Sequence, residues 1–220
     1  MRVGIILDSD IAVASWQYNC ILKLKNSKII FFVSNEENSN YQIKNNYIQN
    51  FIYYIINLVS IRQKKRKINF SSFKDYSVKK ISYKTDSKNW QHFNSESINV
   101  ILQEKPDFIY KCGMKLLKIS DQLKFIPILS HHHGDPSKFR GRPAGFYEIL
   151  KGEKRLGQIV QILSNRLDAG QIISYGETSI YPWSYRKTLN DAYNASPLIF
   201  AKALKNLKKG IITNKEKDGT

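Results

Sequence analysis

Short apolar runs alternate along the chain with segments whose apolar residues recur at helical spacing. "RVGIIL" near the N-terminus, "KIIFFVS" (Lys28–Ser34), "DFIYKCG" (Asp107–Gly113) and "FIPILS" (Phe125–Ser130) predict buried strands. "SWQYNCILKL" (Ser15–Leu24), "YIQNFIYYIINLV" (Tyr47–Val59) and "SESINVILQEKP" (Ser95–Pro106) predict helices, the last capped by Ser95 and stopped by Pro106. "GRPAGFYEILKG" predicts a helix opened by Pro143 and closed by Gly152. "GQIVQIL" and "GQIISYGETSI" predict two strands around the loop "SNRLDAG", and a final helix runs from about Tyr185 to Lys208 before a frayed tail. Residues 62–94 are polar and basic, and only "KISYK" within them reads as a strand. Strands alternating with helices predict an α/β domain with a largely parallel sheet. Residues 1–180 make up its body, and 181–220 add a helix and tail to the same domain.

Composition narrows the setting. With 42% apolar residues in 220, the chain can bury a core. "MRVGIIL" lacks the pattern of a signal peptide, and "FIYYIINLVSI" (Phe51–Ile61) is well short of the roughly 20 residues of a membrane span. Cys20 and Cys112 have no metal-type spacing, so a reduced, cytoplasmic setting fits best. The net charge of +17 and the cluster "IRQKKRK" (Ile61–Lys67) would attract a polyanion. Lys, Asn and Ile are abundant everywhere, so a solvated face is the first reading of that cluster. A nucleic-acid partner is the weaker one, since no RNA-binding signature accompanies the charge. Trp16, Trp90 and Trp183 read as packing residues, and His92 is assigned no role.

The chemistry concentrates in "ILSHHHGDPSKFRGRPAGFYEIL" (Ile128–Leu150), where His131, His132 and His133 stand in a row. On an extended segment His131 and His133 share one face and His132 takes the other. A catalytic zinc needs three convergent ligands, and no Cys or His-x-x-x-His accompanies this run, so no metal is expected. Two readings remain from spacing alone: a group that moves protons near neutral pH, or rings that position a loop. Ligands of open α/β sheets bind beyond the carboxyl ends of strands, which is where the histidines and Asp168 both fall. Asp135, before Pro136, reads first as a turn former and second as a neighbour of the histidines. Glu148 and Glu153 read as surface or capping residues.

"SHHHGDPSKFRG" followed downstream by "RLDAG" (Arg166–Gly170) resembles the formyltransferase family that uses 10-formyltetrahydrofolate. That family carries Asn-x-His, an Arg-Gly turn and a later Leu-Asp-x-Gly loop. Here Ser130 holds the Asn position, His132 the His position, and Arg140 the Arg position. The resemblance is strong over 107–176 and weaker before. It implies a Rossmann-like open sheet, mostly parallel, with helices on both faces. It also implies transfer of a formyl group from 10-formyltetrahydrofolate to an amine. His132 would polarise the formyl oxygen, with Asp168 assisting proton transfer. The folate would lie along Met114, Lys115 and Leu117 of "CGMKLL" and along Arg166 and Leu167. His131, His133, Asp135 and Arg140 would stand behind these groups.

Three departures bear on the substrate. Ser130 replaces an amide donor to the oxyanion, a loss that costs about 2.7–4 kcal/mol when nothing substitutes, and His131 or His133 is a candidate substitute. The chain resembles a variant subset of the family with Ser-x-His-His-Gly-Asp-Pro at this place. "LDSDIAVASW" (Leu7–Trp16) lacks the Gly-rich turn that cradles a phosphate in purine-pathway members. Few residues follow "GQIIS", whereas tRNA-modifying members carry a further barrel domain. A small amine, such as an amino sugar or nucleotide-linked amino sugar, is the expected acceptor. The alternatives are hydrolysis of the same folate and a catalytically decayed module that binds an anionic partner.

Overall fold

The computed structural model describes residues 1–37, 65–139, 143–166 and 169–210. The helix expected over 47–59, the first residues of the basic cluster, and Arg140, Leu167 and Asp168 lie outside the described residues, as does the end of the tail.

The strands are β1 (Arg2–Asp8), β2 (Ala12–Ala14), β3 (Lys28–Glu36), β4 (Lys65–Lys67), β5 (Tyr76–Thr85), β6 (Trp90–Phe93), β7 (Phe108–Lys111), β8 (Leu116–Lys118), β9 (Ile128–His133), β10 (Arg155–Ile162) and β11 (Gln171–Ser179). The described helices are α1 (Ser15–Leu22), α2 (Ser95–Gln103), α3 (Phe146–Leu150) and α4 (Tyr185–Lys208). Nine strands form one sheet in the order β11-β10-β9-β7-β1-β3-β5-β6-β8, and β2 pairs with β4 apart from it. β1 runs parallel to β3 and β7, β3 to β5, β7 to β9, and β6 to β8; β5 and β6 are antiparallel. The mostly parallel α/β architecture expected from the pattern is the one observed.

Among the described residues, 1–37, 65–130 and 162–166 cluster into one compact unit, and 131–139, 143–161 and 169–210 into a second. In the first, Ile6, Ile30, Phe32, Ile81, Ile101, Ile109, Leu117 and Ile128 belong to one buried cluster. A strand buried on both faces needs an unbroken apolar run, and β1 and β3 supply it. In the second unit Leu156, Ile180 and Ala192 make a smaller core. Here α4 lies against β11: Ser174 Oγ donates to the Ile199 carbonyl (2.8 Å), and Asn206 Nδ2 donates to the Ile173 carbonyl (2.7 Å).

Four expectations are corrected. Asn94, not Ser95, caps α2: its side chain accepts from Ser97 N–H at 2.7 Å. α3 begins at Phe146 because Gly145 sits at φ 75, a left-handed conformation that a helix cannot continue through. Residues 65–93 hold β4, β5 and β6, not a single strand. Trp183 is 80% exposed, its ring edge against Tyr181. The basic run Lys65–Lys67 is an exposed strand in which Lys65 pairs with Asp10 at 2.7 Å.

Gly113 marks the closest approach of backbones. A β-carbon there would stand 2.5 Å from Asp8 N and 2.6 Å from the Leu7 carbonyl carbon. Gly113→Ala must push β1 from the segment after β7, and urea unfolding is expected to show a loss of about 1–3 kcal/mol.

Candidate functional site

In the first unit, the carboxyl ends of β1 and β7 meet at the segment 112–119. Asp8 Oδ1 accepts from Met114 N–H at 2.7 Å, while Lys111 Nζ donates to the Met114 carbonyl at 3.1 Å. These contacts hold Met114 at φ 64. Gln17 Nε2 donates to the Cys112 carbonyl (3.1 Å), and Lys115 N–H donates to Gln91 Oε1. The stretch expected as a loop is thus pinned from four sides, and its end is strand β8. Leu117 is 3% exposed and belongs to the core, so it offers a ligand backbone and not side chain. Met114 is half-buried and Lys115 exposed.

The structure joins this segment to the loop that carries Arg166. Ile119 N–H donates to Asn165 Oδ1 (2.7 Å), and Asn165 Nδ2 donates to the Ile119 carbonyl (2.8 Å). The amide of Asn165 therefore imitates a neighbouring strand for one residue. Arg166 follows it and is exposed, with its own N–H donating to Ser164 Oγ at 3.3 Å. Met114, Lys115, Leu117 and Arg166 come together in this sense, by way of an asparagine that sequence reasoning did not single out.

The histidines divide as strand alternation requires. Ser130 and His132 lie two apart on β9 and project to one face, whereas His131 and His133 project to the other. On that other face, within the second unit, the His131 and His133 rings stack at 4.7 Å between centroids, and Tyr193 of α4 meets His133 edge-on at 4.8 Å. His133 Nε2 lies 2.9 Å from Ser196 Oγ, and His131 Nε2 lies 3.4 Å from Gln158 Oε1. Ser196 has one proton, for which the Ala192 carbonyl (3.1 Å) and Gln158 Oε1 (3.3 Å) are both acceptors; with the proton on either, the His133 ring is assigned as the donor through Nε2–H. Burial is the main cause that pushes His131 down to about 4 and His133 well below its ordinary value. Both rings are therefore neutral at pH 7. The reading in which one of them substitutes for the missing amide donor is corrected, because they face α4 and not the side of Ser130 and His132.

Asp135 shapes the turn after β9: its Oδ1 accepts from Ser137 N–H (2.9 Å) and its carbonyl from Lys138 and Phe139 N–H. This bears out its reading as a turn former. Glu148 differs most from its expected surface role. It is 4% exposed, and burial raises its carboxyl above the ordinary range, with Glu153 and Asp135 adding to the rise. Its place on a single helical turn gave no periodicity from which that burial could be read. Among the described residues, no group of three or more His, Cys, Asp or Glu is placed to hold a metal ion, and no helix is long and apolar enough to cross a membrane.

Comparison with known proteins gives this geometry a context. A family model described as formyl transferase matches residues 27–197. Comparison with curated proteins gave no match. Similar solved structures include glycinamide ribonucleotide transformylase 1 from Symbiobacterium toebii, with 13% identity and a TM-score of 0.58, covering 96% of this chain and 88% of that one. Phosphoribosylglycinamide formyltransferase from Anaplasma phagocytophilum is similar with 14% identity and a TM-score of 0.57, covering 99% and 95%. Formyltetrahydrofolate deformylase from Pseudomonas syringae pv. tomato shares 13% identity and a TM-score of 0.55, covering 92% of this chain and 59% of the other. At these identities the likeness is one of fold.

The neutral, buried pair sets a pH dependence. Folded values below the unfolded value near 6.5 mean that the stability tied to His131 and His133 is present above about pH 6.5 and is lost as pH falls toward 4. Thermal unfolding between pH 7 and 4 is expected to show a decline that His131→Gln makes shallower, by on the order of 1–3 kcal/mol at the acid end.

Proposed function

The chain belongs to the formyl transferase family, and from that premise we propose that it moves a formyl group from 10-formyltetrahydrofolate to a small amine. The observation that carries this reading is the Asn165–Ile119 pairing. It ties the stretch that holds 114–117 to the loop that carries Arg166, residues that the family resemblance assigns to the folate. The N–H groups of Met114 and Lys115 are already bonded, so the donors and acceptors of a pterin would meet β8. Among the described residues β8 is the last strand of the sheet, paired with β6 on one edge. A flat ring with amide-like edges suits such an edge, as the Asn165 amide at Ile119 does.

His132 polarises the formyl oxygen in this reading. Ser130, on the same face of β9, adds a hydroxyl that donates with shorter reach than an amide. Asp168 takes part in moving the proton that the amine must lose. The acceptor is a small amine, with an amino sugar or nucleotide-linked amino sugar the leading class. The turn after β1 supports this: Ile11 N–H returns to the Asp8 carbonyl, and the carboxylates Asp8 and Asp10 stand where a phosphate cradle would present backbone donors. Lys65 pairs with Asp10 and lowers its pKa, so this lysine is engaged by a carboxylate.

Turnover with a panel of amines checks the assignment. His132→Ala and Asp168→Ala are each expected to lower kcat by roughly 10²–10⁴-fold. Ser130→Asn is expected to keep or raise it, since it restores an amide donor. An N-formyl product identifies a transferase, and formate without such a product would reassign the acceptor to water. Full turnover in both alanine variants would overturn the site.

A further inference from the structure

The amino ends of β3 and β5 frame a recess that the chemistry described so far does not use. Its volume is about 320 Å³, and Lys25, Asn26, Ser27, Lys28, Lys74 and Asp75 line it. That is the lower end of the size range of small-ligand sites. The recess is built on fixed backbone. Ile29 N–H donates to the Asp75 carbonyl (2.9 Å), Lys28 N–H to the Met1 carbonyl (3.0 Å) and Ser27 N–H to the Leu24 carbonyl (2.8 Å). Each lysine also stands beside a buried anchor. Lys25 follows Leu24, Lys28 precedes Ile29, and Lys74 follows Phe73, whose ring meets Phe31 edge-on at 5.4 Å. Three ammonium groups are thus gathered from two separate stretches of chain, both within the first unit.

The protein does not answer this charge itself. Among the described residues none of the three lysines forms an ion pair, and Asp75 is the one carboxylate on the lining. Three cations against one anion leave a formal charge of +2. Like charges held around one concave surface repel each other when it is empty and focus their field on an incoming anion. Asn26 and Ser27 add an amide and a hydroxyl that can donate to oxygen. Tyr76, the residue after Asp75, is 43% exposed, and its ring stacks on Phe70 at 5.9 Å between centroids. We propose that this recess binds a diphosphate group, free or on a nucleoside, with Lys25, Lys28 and Lys74 around the phosphate oxygens. Lysine serves phosphate as a mobile point charge, and a diphosphate supplies enough charge and oxygens for three lysines at once, which a lone carboxylate does not. Lys28 and Ser34 are six residues apart on β3, and Ser34 is opposite Asp8, so roughly 20 Å separate the recess from the carboxyl end of β1. The site is therefore distinct from the folate edge and stands whether or not the formyl-transfer reading does.

Calorimetric titration of the full chain with inorganic pyrophosphate and with ADP, at low ionic strength, tests the proposal. Saturable binding at one site per chain is expected, and added salt is expected to weaken it. Lys28→Gln and Lys74→Gln are each expected to weaken binding roughly two- to fivefold, and the triple variant Lys25→Gln/Lys28→Gln/Lys74→Gln at least about tenfold. These side chains are exposed, so the variants are expected to keep the wild-type unfolding temperature. Lys65→Gln/Lys67→Gln, on the basic strand β4, is the control and is expected to leave the affinity unchanged. Equal affinity for the two ligands assigns the site to the phosphates alone. Tighter binding of ADP that Tyr76→Ala removes extends the same site to the base. Binding that the triple variant leaves intact would overturn the proposal. So would the absence of binding by either ligand at millimolar concentration; uptake of single-stranded RNA in that case would give the basic face to a nucleic acid instead.

Discussion

His133 Nε2 lies 2.9 Å from Ser196 Oγ, and the division of labour among three adjacent histidines depends on that buried bond. Side chains alternate along a strand, so fixing one of the three fixes all of them. With His133 bonded to α4 and His131 stacked on it, His132 is obliged to point the other way, on the side of Ser130. A slip of one residue would place two neutral, desolvated imidazoles on that side and strand His132 against the helix. Burial keeps both rings neutral beside it. Pro197 interrupts the α4 hydrogen bonds just after Ser196, where the serine hydroxyl turns back to Ala192 and still meets the ring.

The electrostatics around Glu148 run against those of the chain as a whole. The protein carries a net charge of +17, yet Asp135 and Glu153 are the charges that act on the one buried carboxyl of Glu148. The excess of cations is visible on exposed elements such as β4, where it serves solvation and a surface ion pair. Surface pairs of this kind contribute little to stability. Net charge therefore says less about the chemistry here than one buried side chain does.

The parts of the fold legible in the sequence are those buried on both faces. β1, β3 and β7 read as strands because their apolar runs are unbroken, β9 from the apolar residues that lead into the histidines, and α4 because its buried positions keep helical spacing over many turns. Of β4 to β6 only the "KISYK" part of β5 was legible, for the opposite reason: β4 is exposed, and the first half of β5 alternates exposed with half-buried residues. Of the candidate site, the histidine run and its alternation were readable, and so was the likeness to formyl transferases. The contacts of Asn165 and the burial of Glu148 were not. Asn165 acts through contacts with a strand distant in sequence, and Glu148 is buried by tertiary packing on a helix too short to show a pattern.

The central claim is that the edge beside β8 and the Asn165 loop receives a reduced folate. Calorimetric titration of 5-formyltetrahydrofolate, a stable analogue, into the protein tests it most directly, with Asn165→Ala as the companion. The account predicts saturable binding with one site per chain, weakened at least tenfold when the Asn165 clasp is removed, at a cost of about 1.4 kcal/mol. No heat of binding at millimolar ligand, in protein shown to be folded, would contradict it.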